Sequence, residues 1–156
     1  MFTQARFFIR TALMHLLAAF IVGAALLINQ GLALSSWVGV LLPTFYHLLM
    51  VGWVTQLICG VALWMFPVLS REQPRGPPWM GWATYAGLNA GLLLRVVAEP
   101  IHTLAPAPWT GALLVLSAVL QVGAIWIFVL AIWPRVKAPR ATTPRAAVKG
   151  TGTIRE

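Results

Sequence analysis

Three histidines, His15, His47 and His102, are the side chains of this sequence best suited to chemistry. A neutral imidazole can hold a haem iron or another borderline metal in an apolar pocket, while its second nitrogen is oriented by a backbone or carboxylate acceptor. His47 lies in a segment that is otherwise almost entirely apolar, FYHLLMVGWVTQLICGVALWMFP. The alternative role for a histidine in such a segment is a hydrogen bond across a bundle of helices.

A second group of polar residues surrounds His102. Arg95, Glu99 and His102 follow at spacings of four and three residues, which place them on one face of a helix, although Pro100 is expected to bend or end that helix. Arg95 and Glu99 could pair with each other, which is the commonest explanation for a cation and a carboxylate four residues apart at membrane depth. Within apolar segments such residues indicate a functional site. The remaining polar residues in the apolar segments are Gln56, Asn89 and Gln121.

Four long apolar blocks must position these side chains. Hydrophobic residues make up 60% of the chain and charged residues only 9%, whereas a soluble domain is about 45–50% apolar. The blocks are continuous, which argues against an outer-membrane barrel, and each reaches the ~20 residues that a membrane-spanning helix needs. We therefore predict an all-α, integral membrane four-helix bundle over 1–134 and a disordered tail over 135–156. The blocks cover about 7–29, 40–67, 80–101 and 109–133.

The net charge of +8 is explained by topology and not by nucleic-acid binding. Lys and Arg precede the first block, lie between the second and third, and follow the fourth, while the other two connections carry none. The positive-inside rule then places both termini in the cytoplasm. We expect a multi-pass protein of a bacterial-type inner (cytoplasmic) membrane. The tail either stays disordered or adheres to anionic lipid headgroups. The basic residues on these connections and the tail are Arg6, Arg10, Arg71, Arg75, Arg135, Lys137, Arg140, Arg145, Lys149 and Arg155.

This topology predicts the depth of each histidine. The second block descends from the outer side, so His47 lies roughly 9 Å below the outer end, and the third block brings Arg95, Glu99 and His102 toward the same surface. His15 belongs to the inner half, at a depth that differs from that of His47 by roughly 10 Å. An outer polar cluster is therefore expected, in which His102 is a better partner for His47 than His15 is.

Two further features are assigned to packing. Gly87 and Gly91 form a small-xxx-small pair, which predicts close approach of the third helix to a neighbour. Cys59 is the single cysteine, so neither an intrachain disulfide nor a CxxCH haem attachment exists, and we expect a small core residue.

The segment 45–67 resembles helix II of haem-copper oxidase subunit I, particularly that of the cbb3-type and nitric-oxide-reductase branches. In that family the histidine at the position of His47 ligates the low-spin haem, and family helix II also descends from the outer side. The stretch LNAGLLLRVVAEP is similar to a helix III of that family or of the NnrS membrane haem proteins. The surrounding residues that carry the resemblance are Gly52, Trp53, Gly60, Trp64 and Pro67.

The resemblance implies one non-covalent haem b, with His47 as one axial ligand, His102 as the other and His15 in reserve. Arg95 would then either neutralise a haem propionate or stay paired with Glu99. The function implied by such a haem is electron transfer or O2- or NO-related sensing. The later His-x-His pair, the His-His copper ligands and the His-Tyr cofactor of the family are missing, so reduction of oxygen or nitric oxide by this chain alone is not expected. Partners besides the lipid bilayer would be another membrane subunit, a redox partner or a homodimer mate. The alternative is a non-haem subunit or scaffold of a respiratory complex that kept the fold without the cofactor. A transporter that uses Arg95 and Glu99 is a third possibility, but the sequence contains no inverted repeat to support it.

Overall fold

The computed structural model describes residues 2–68 and 76–137, and every regular element in that part of the chain is a helix. This confirms the all-helical prediction. The predicted blocks match the observed helices to within a few residues, and α3 continues through Pro100. The four long helices are α1 (Thr3–Leu32), α2 (Ser36–Met65), α3 (Pro78–Leu104) and α4 (Pro108–Lys137).

Three of these helices, α1, α2 and α4, are long and apolar enough to cross a membrane. Helix α3 has 27 residues, which at 1.5 Å per residue is also sufficient length. Helix α3 is less hydrophobic than the other three because it carries the polar side chains discussed above, among them Asn89, Arg95 and Glu99. The structure therefore supports a membrane protein with at least three apolar helices that are long enough to span.

Helix α2 is not a regular α-helix throughout. It begins with a short α-helical stretch, Ser36–Gly39, and a turn at 40–41. Two further α-helical stretches, Leu42–His47 and Gln56–Met65, are joined by a π-helical segment, Leu48–Thr55, in which each backbone hydrogen bond spans one residue more than in an α-helix. The hydroxyl of Thr55 donates to the carbonyl of Met50 at 2.8 Å, five residues back along the chain. The segment therefore changes which α2 residues share a face.

Helices α1 and α2 pack closely and antiparallel along a seam of small residues. A Cβ at Gly60 would lie 2.8 Å from the Cβ of Phe8, and one at Gly23 would lie 2.9 Å from the ring of Phe45. Spacings of three and four along α1 are those of a heptad repeat, which gives a left-handed crossing. The α1 residues at these spacings are Ala5, Phe8, Ala12, His15 and Ala19.

Helices α3 and α4 form a second close antiparallel pair, and this confirms the packing role predicted for Gly87 and Gly91. A Cβ at Gly87 would lie 2.9 Å from the Cβ of Ala124, and one at Gly91 would lie 2.9 Å from the carbonyl oxygen of Ser117. The hydroxyl of Ser117 donates to the carbonyl of Gly91 at 2.6 Å. Without side chains at these two positions, the backbones approach closely enough for this interhelical bond.

Arg135 joins α4 to the C-terminal end of α2. Its side chain is buried and donates to the carbonyls of Pro67 at 2.9 Å, Leu63 at 3.2 Å and Phe66 at 2.6 Å. These carbonyls lie at the end of α2, where the last C=O groups have no backbone N–H partner within the helix. Arg135 donates to them and so caps the helix. We call this the Arg135 end of the bundle and the opposite one the His47 end.

The position of Arg135 corrects the predicted domain boundary. Helix α4 runs through Pro134 to Lys137, so the bundle extends beyond 134 and Arg135 does not belong to a tail. The misassignment arose because the sequence around Arg135 is basic and proline-containing, whereas its burial depends on the position of the α2 terminus. The rest of the predicted tail, 138–156, lies outside the described residues.

Candidate functional site

The His47 end of the bundle contains an interhelical polar cluster. The Nδ1 atom of His47 on α2 lies 3.2 Å from Oε2 of Glu99 on α3, and Oε1 of Glu99 lies 3.6 Å from Nε of Arg95. Glu99 therefore stands between the imidazole and the guanidinium, with one oxygen toward each. Of the four residues expected in this cluster, the structure brings His47, Arg95 and Glu99 together. Arg95 and Glu99 pair formally as cation and anion, which suits a site at membrane depth.

The hydrogen bonds of His47 define its protonation pattern. Its Nδ1 lies 2.8 Å from the backbone carbonyl oxygen of Pro43, which can only accept, so Nδ1 carries the proton and donates it there. The Oε2 atom of Glu99 is a close neighbour of the same nitrogen at 3.2 Å, but it receives no hydrogen bond from the described residues. The Nε2 atom has no hydrogen-bond partner within the described ranges, and it is not among their buried unpartnered atoms. In the neutral ring Nε2 thus presents a lone pair toward the protein surface.

His102 faces another part of the bundle. Its Nδ1 lies 2.6 Å from Oγ1 of Thr110 on α4, and that hydroxyl donates to the carbonyl of Ala107 at 2.7 Å. Because the hydroxyl proton is used on Ala107, Thr110 accepts from the imidazole. His102 thereby fastens the α3–α4 connection, and the structure gives it no hydrogen bond to the His47 cluster.

His15 lies nearer the middle of the bundle. Its Nδ1 is 3.2 Å from the carbonyl oxygen of Gly52, and a Cβ at Gly52 would lie 2.8 Å from the Cβ of His15. This is five residues along α2 from His47, so the structure keeps the two histidines at different depths, as predicted. The ring of His15 also lies beside the buried carboxamide of Gln56.

Gln56 extends this contact into a network across three helices. Its Nε2 donates to Oδ1 of Asn89 at 3.4 Å, and Nδ2 of Asn89 donates to the carbonyl of Tyr85 at 2.8 Å. The hydroxyl of Tyr85 lies 2.8 Å from that of Thr11 on α1. Polar contacts of this kind hold membrane helices together, so the network fixes α1, α2 and α3 relative to one another.

The π-helical segment explains why His47 and Gln56 both face inward. Nine residues at about 100° each would place them on opposite faces of a regular α-helix. The wider π turns between them change this angle, so that His47 reaches Glu99 while Gln56 is buried with 1% exposure. Sequence analysis missed this segment. The signal in the sequence was that His47 and Gln56 both need polar partners inside the bundle, although a regular α-helix would place them on opposite faces.

The two largest clefts of the described residues are almost entirely apolar, whereas a third of about 400 Å³ between α1 and the first part of α2 also contains Asn29 and Gln30. A groove of about 560 Å³ lies near the end of α2, from Leu57 to Pro67, and another of about 460 Å³ separates α2 from α4 and contains Gln121. A smaller hollow of about 260 Å³ lies at the His47 end, between the start of α2 and the end of α3. Its lining residues are Trp37, Val38, Val40, Leu41, Pro100 and Leu104.

The described part of the chain contains no group of three or more His, Cys, Asp or Glu side chains that could hold a metal ion on its own. His47 can thus supply one donor, as an axial haem ligand does. Comparison of the chain with protein families, curated proteins and solved structures finds no match. The likeness of 45–67 to an oxidase helix therefore stays a prediction, and function must be argued from the geometry of the site.

Proposed function

We propose that this chain is an integral membrane protein that binds one haem b non-covalently, with His47 as an axial ligand. The observation that carries the proposal is the fixed Nδ1–H of His47, which donates to the carbonyl of Pro43 beside the Glu99 carboxylate and leaves Nε2 open. Metal-bound histidines have this arrangement, because the second-shell acceptor fixes the tautomer and raises the basicity of the ligating nitrogen.

Two neighbours of His47 support a haem more than a bare metal ion. Arg95 lies in the same cluster and has a side chain that is 24% exposed, so its outer N–H groups can meet a propionate. The nearby hollow is entirely apolar, as the face of a porphyrin requires. A bound haem would supply one-electron transfer or, with an open axial position, binding of O2 or NO. Cys59 is buried in α2, which leaves no thiol at the site for a covalent link.

The proposed topology has four spans, with both termini in the cytoplasm of a bacterial-type inner membrane. The exposed residues Arg6 and Arg10 and the cap Arg135 lie at one end of the bundle, and the basic residue Arg95 near the other end is paired with Glu99. The Arg135 end would face the cytoplasm. Helix α3 can cross despite its polar residues, because Asn89 and Glu99 contact α2 in the interior.

Reporter fusions test this topology. A reporter joined after Glu156 should be active as a cytoplasmic fusion, and reporters inserted at Ser35 or Ala107 should be active only outside, because these two connections carry no basic residues. Enzymatic reporters that work on opposite sides of the membrane measure this directly. A cytoplasmic signal at Ala107 would exclude the four-span arrangement.

Absorption spectra test the cofactor. Protein purified after expression with ample haem and iron should be red, with a Soret band and a reduced-state alpha band of the b type. His47→Ala should remove these bands while the chain still accumulates in the membrane, since packing depends on the apolar seams. Tyr46→Phe, a change to the exposed neighbour of His47 on α2, should leave the spectrum intact. A colourless wild-type protein would favour the alternative, a scaffold subunit in which His47 only bonds α2 to α3.

A further inference from the structure

Two arginines near the start of α1 have no part in the proposed haem site. Arg6 and Arg10 are four residues apart and exposed, and neither guanidinium has a hydrogen bond or an ion pair within the described ranges. Like charges at this spacing on a helix repel each other. The one carboxylate side chain of residues 2–68 and 76–137, that of Glu99, lies at the opposite end of the bundle. An anion from outside the chain would relieve the repulsion.

The two arginines lie on the outer face of α1. The opposite face packs on α2 through the seam of small residues, in which Phe8 and Ala12 are completely buried. Arg6 and Arg10 each stand two residues before one of these seam residues, and two residues turn an α-helix by about 200°. Both guanidinium groups therefore point away from the bundle.

An apolar stripe continues from Arg10 along this outer face. Leu13 and Leu17 follow Arg10 at spacings of three and four residues, and their side chains are 52% and 65% exposed. One surface of α1 thus has two positive charges near the helix end and hydrocarbon side chains further along the helix. A phospholipid with a negative headgroup has the complementary arrangement, with its charge at one end and its acyl chains below.

Aromatic side chains mark the level of the lipid headgroups at this end. The ring of Phe7, which directly follows Arg6, lies 5.5 Å from that of Trp82, and both Trp82 and Trp79 are exposed. Tryptophan concentrates at the boundary between membrane and water. Helix α1 has 30 residues, about 45 Å at 1.5 Å per residue, so it is longer than the roughly 30 Å hydrocarbon layer. Its first turns therefore have room among the headgroups.

We propose that Arg6, Arg10, Leu13 and Leu17 form a binding site for an anionic phospholipid. The phosphate lies between the two guanidinium groups, which donate charge-assisted hydrogen bonds to its oxygens, and an acyl chain lies along the two leucines. Under the proposed topology this end faces the cytoplasm, and the cytoplasmic leaflet carries the anionic lipid. The site does not include His47 and does not require a bound haem.

Lipid binding by the purified full-length protein tests the site. The protein in a neutral detergent is titrated with phosphatidylglycerol or with phosphatidylcholine of identical acyl chains, and bound lipid is counted by native mass spectrometry. Phosphatidylglycerol should bind the wild type more tightly than phosphatidylcholine does. Arg6→Gln combined with Arg10→Gln should weaken its binding roughly 25-fold, because each basic residue near an anionic lipid surface contributes about a factor of five.

The matched control is Arg71→Gln combined with Arg75→Gln, which removes two charges from the connection between α2 and α3 and should leave the binding unchanged. Arg6→Lys combined with Arg10→Lys keeps both charges and should retain most of it. Equal affinity for the two lipids, or equal losses in the two glutamine variants, would overturn the site by showing apolar adsorption or diffuse attraction.

A competition experiment separates a lipid from a free phosphate. Glycerol phosphate has the charged group of phosphatidylglycerol but no acyl chains to lie on Leu13 and Leu17. It should therefore fail to displace the bound lipid at an equal concentration. Displacement at that concentration would overturn the lipid assignment, because it would show that the two arginines bind the phosphate group alone.

Discussion

Replacement of Arg135 by leucine is expected to lower the free energy of unfolding by about 3 kcal/mol or more, the scale of losing hydrogen bonds from a charged donor to buried acceptors. Arg135 is 1% exposed and bonds three carbonyls at the end of α2. Leucine preserves the apolar stem but leaves those carbonyls without their donor. Thermal unfolding in detergent, followed by circular dichroism, measures the change.

Two companion variants separate the cap from the charge. Arg10→Leu removes the same charge from an exposed position near the same end and should change stability little. Arg135→Lys keeps the charge but loses the planar fork that serves several carbonyls at once, so it should recover only part of the loss. Equal shifts for Arg135→Leu and Arg10→Leu would show that Arg135 contributes charge alone.

The sequence predicts the helices and the His47 cluster well, for simple physical reasons. Long apolar blocks leave little choice but helix, because each backbone group must bond within its own segment at membrane depth. The spacing of four between Arg95 and Glu99 places them on one face, and antiparallel helices bring that face to the depth of His47. Depth along the axis can be counted from residue numbers, and the prediction needed little else.

The rotation of a helix about its own axis cannot be obtained from residue numbers in the same way. The sequence therefore did not predict which neighbouring helix some side chains contact. His102 lies near the same end of the bundle as His47, but its ring bonds Thr110, which follows the short α3–α4 connection. Arg135 was assigned to a tail because its partners are backbone carbonyls, which have no sequence pattern. In both cases the deciding contact is tertiary.

The π-helical segment is the largest feature that the sequence did not reveal. An α-helical interpretation of α2 has the correct length and the correct depth for His47, yet it would turn either His47 or Gln56 away from the interior. Two inward contacts, His47 with Glu99 and Gln56 with Asn89, together require the wider turns of Leu48–Thr55. Since π-helical turns occur frequently at functional sites, this segment is a specific target for mutation.

Insertion of one alanine after Met50, an exposed residue of the π-helical segment, should therefore abolish the site while the chain still accumulates in the membrane. One extra helical residue turns the chain by about 100°, so the insertion rotates His47 by about that angle relative to Gln56. The imidazole then leaves Glu99, and the haem absorbance per chain should fall as far as it does in His47→Ala. Met50→Ala, which keeps the chain length, should retain the spectrum.

A readout that does not depend on haem accompanies this experiment. In a Cys59→Ser background, cysteines placed at His47 and Glu99 should be joined by a short bifunctional thiol reagent, since the two native side chains are in contact. The alanine insertion after Met50 should reduce that cross-link to the background level, because position 47 would point away from α3. An insertion variant that still cross-links efficiently and keeps the wild-type spectrum would show that the orientation of His47 does not depend on the register of the π-helical segment.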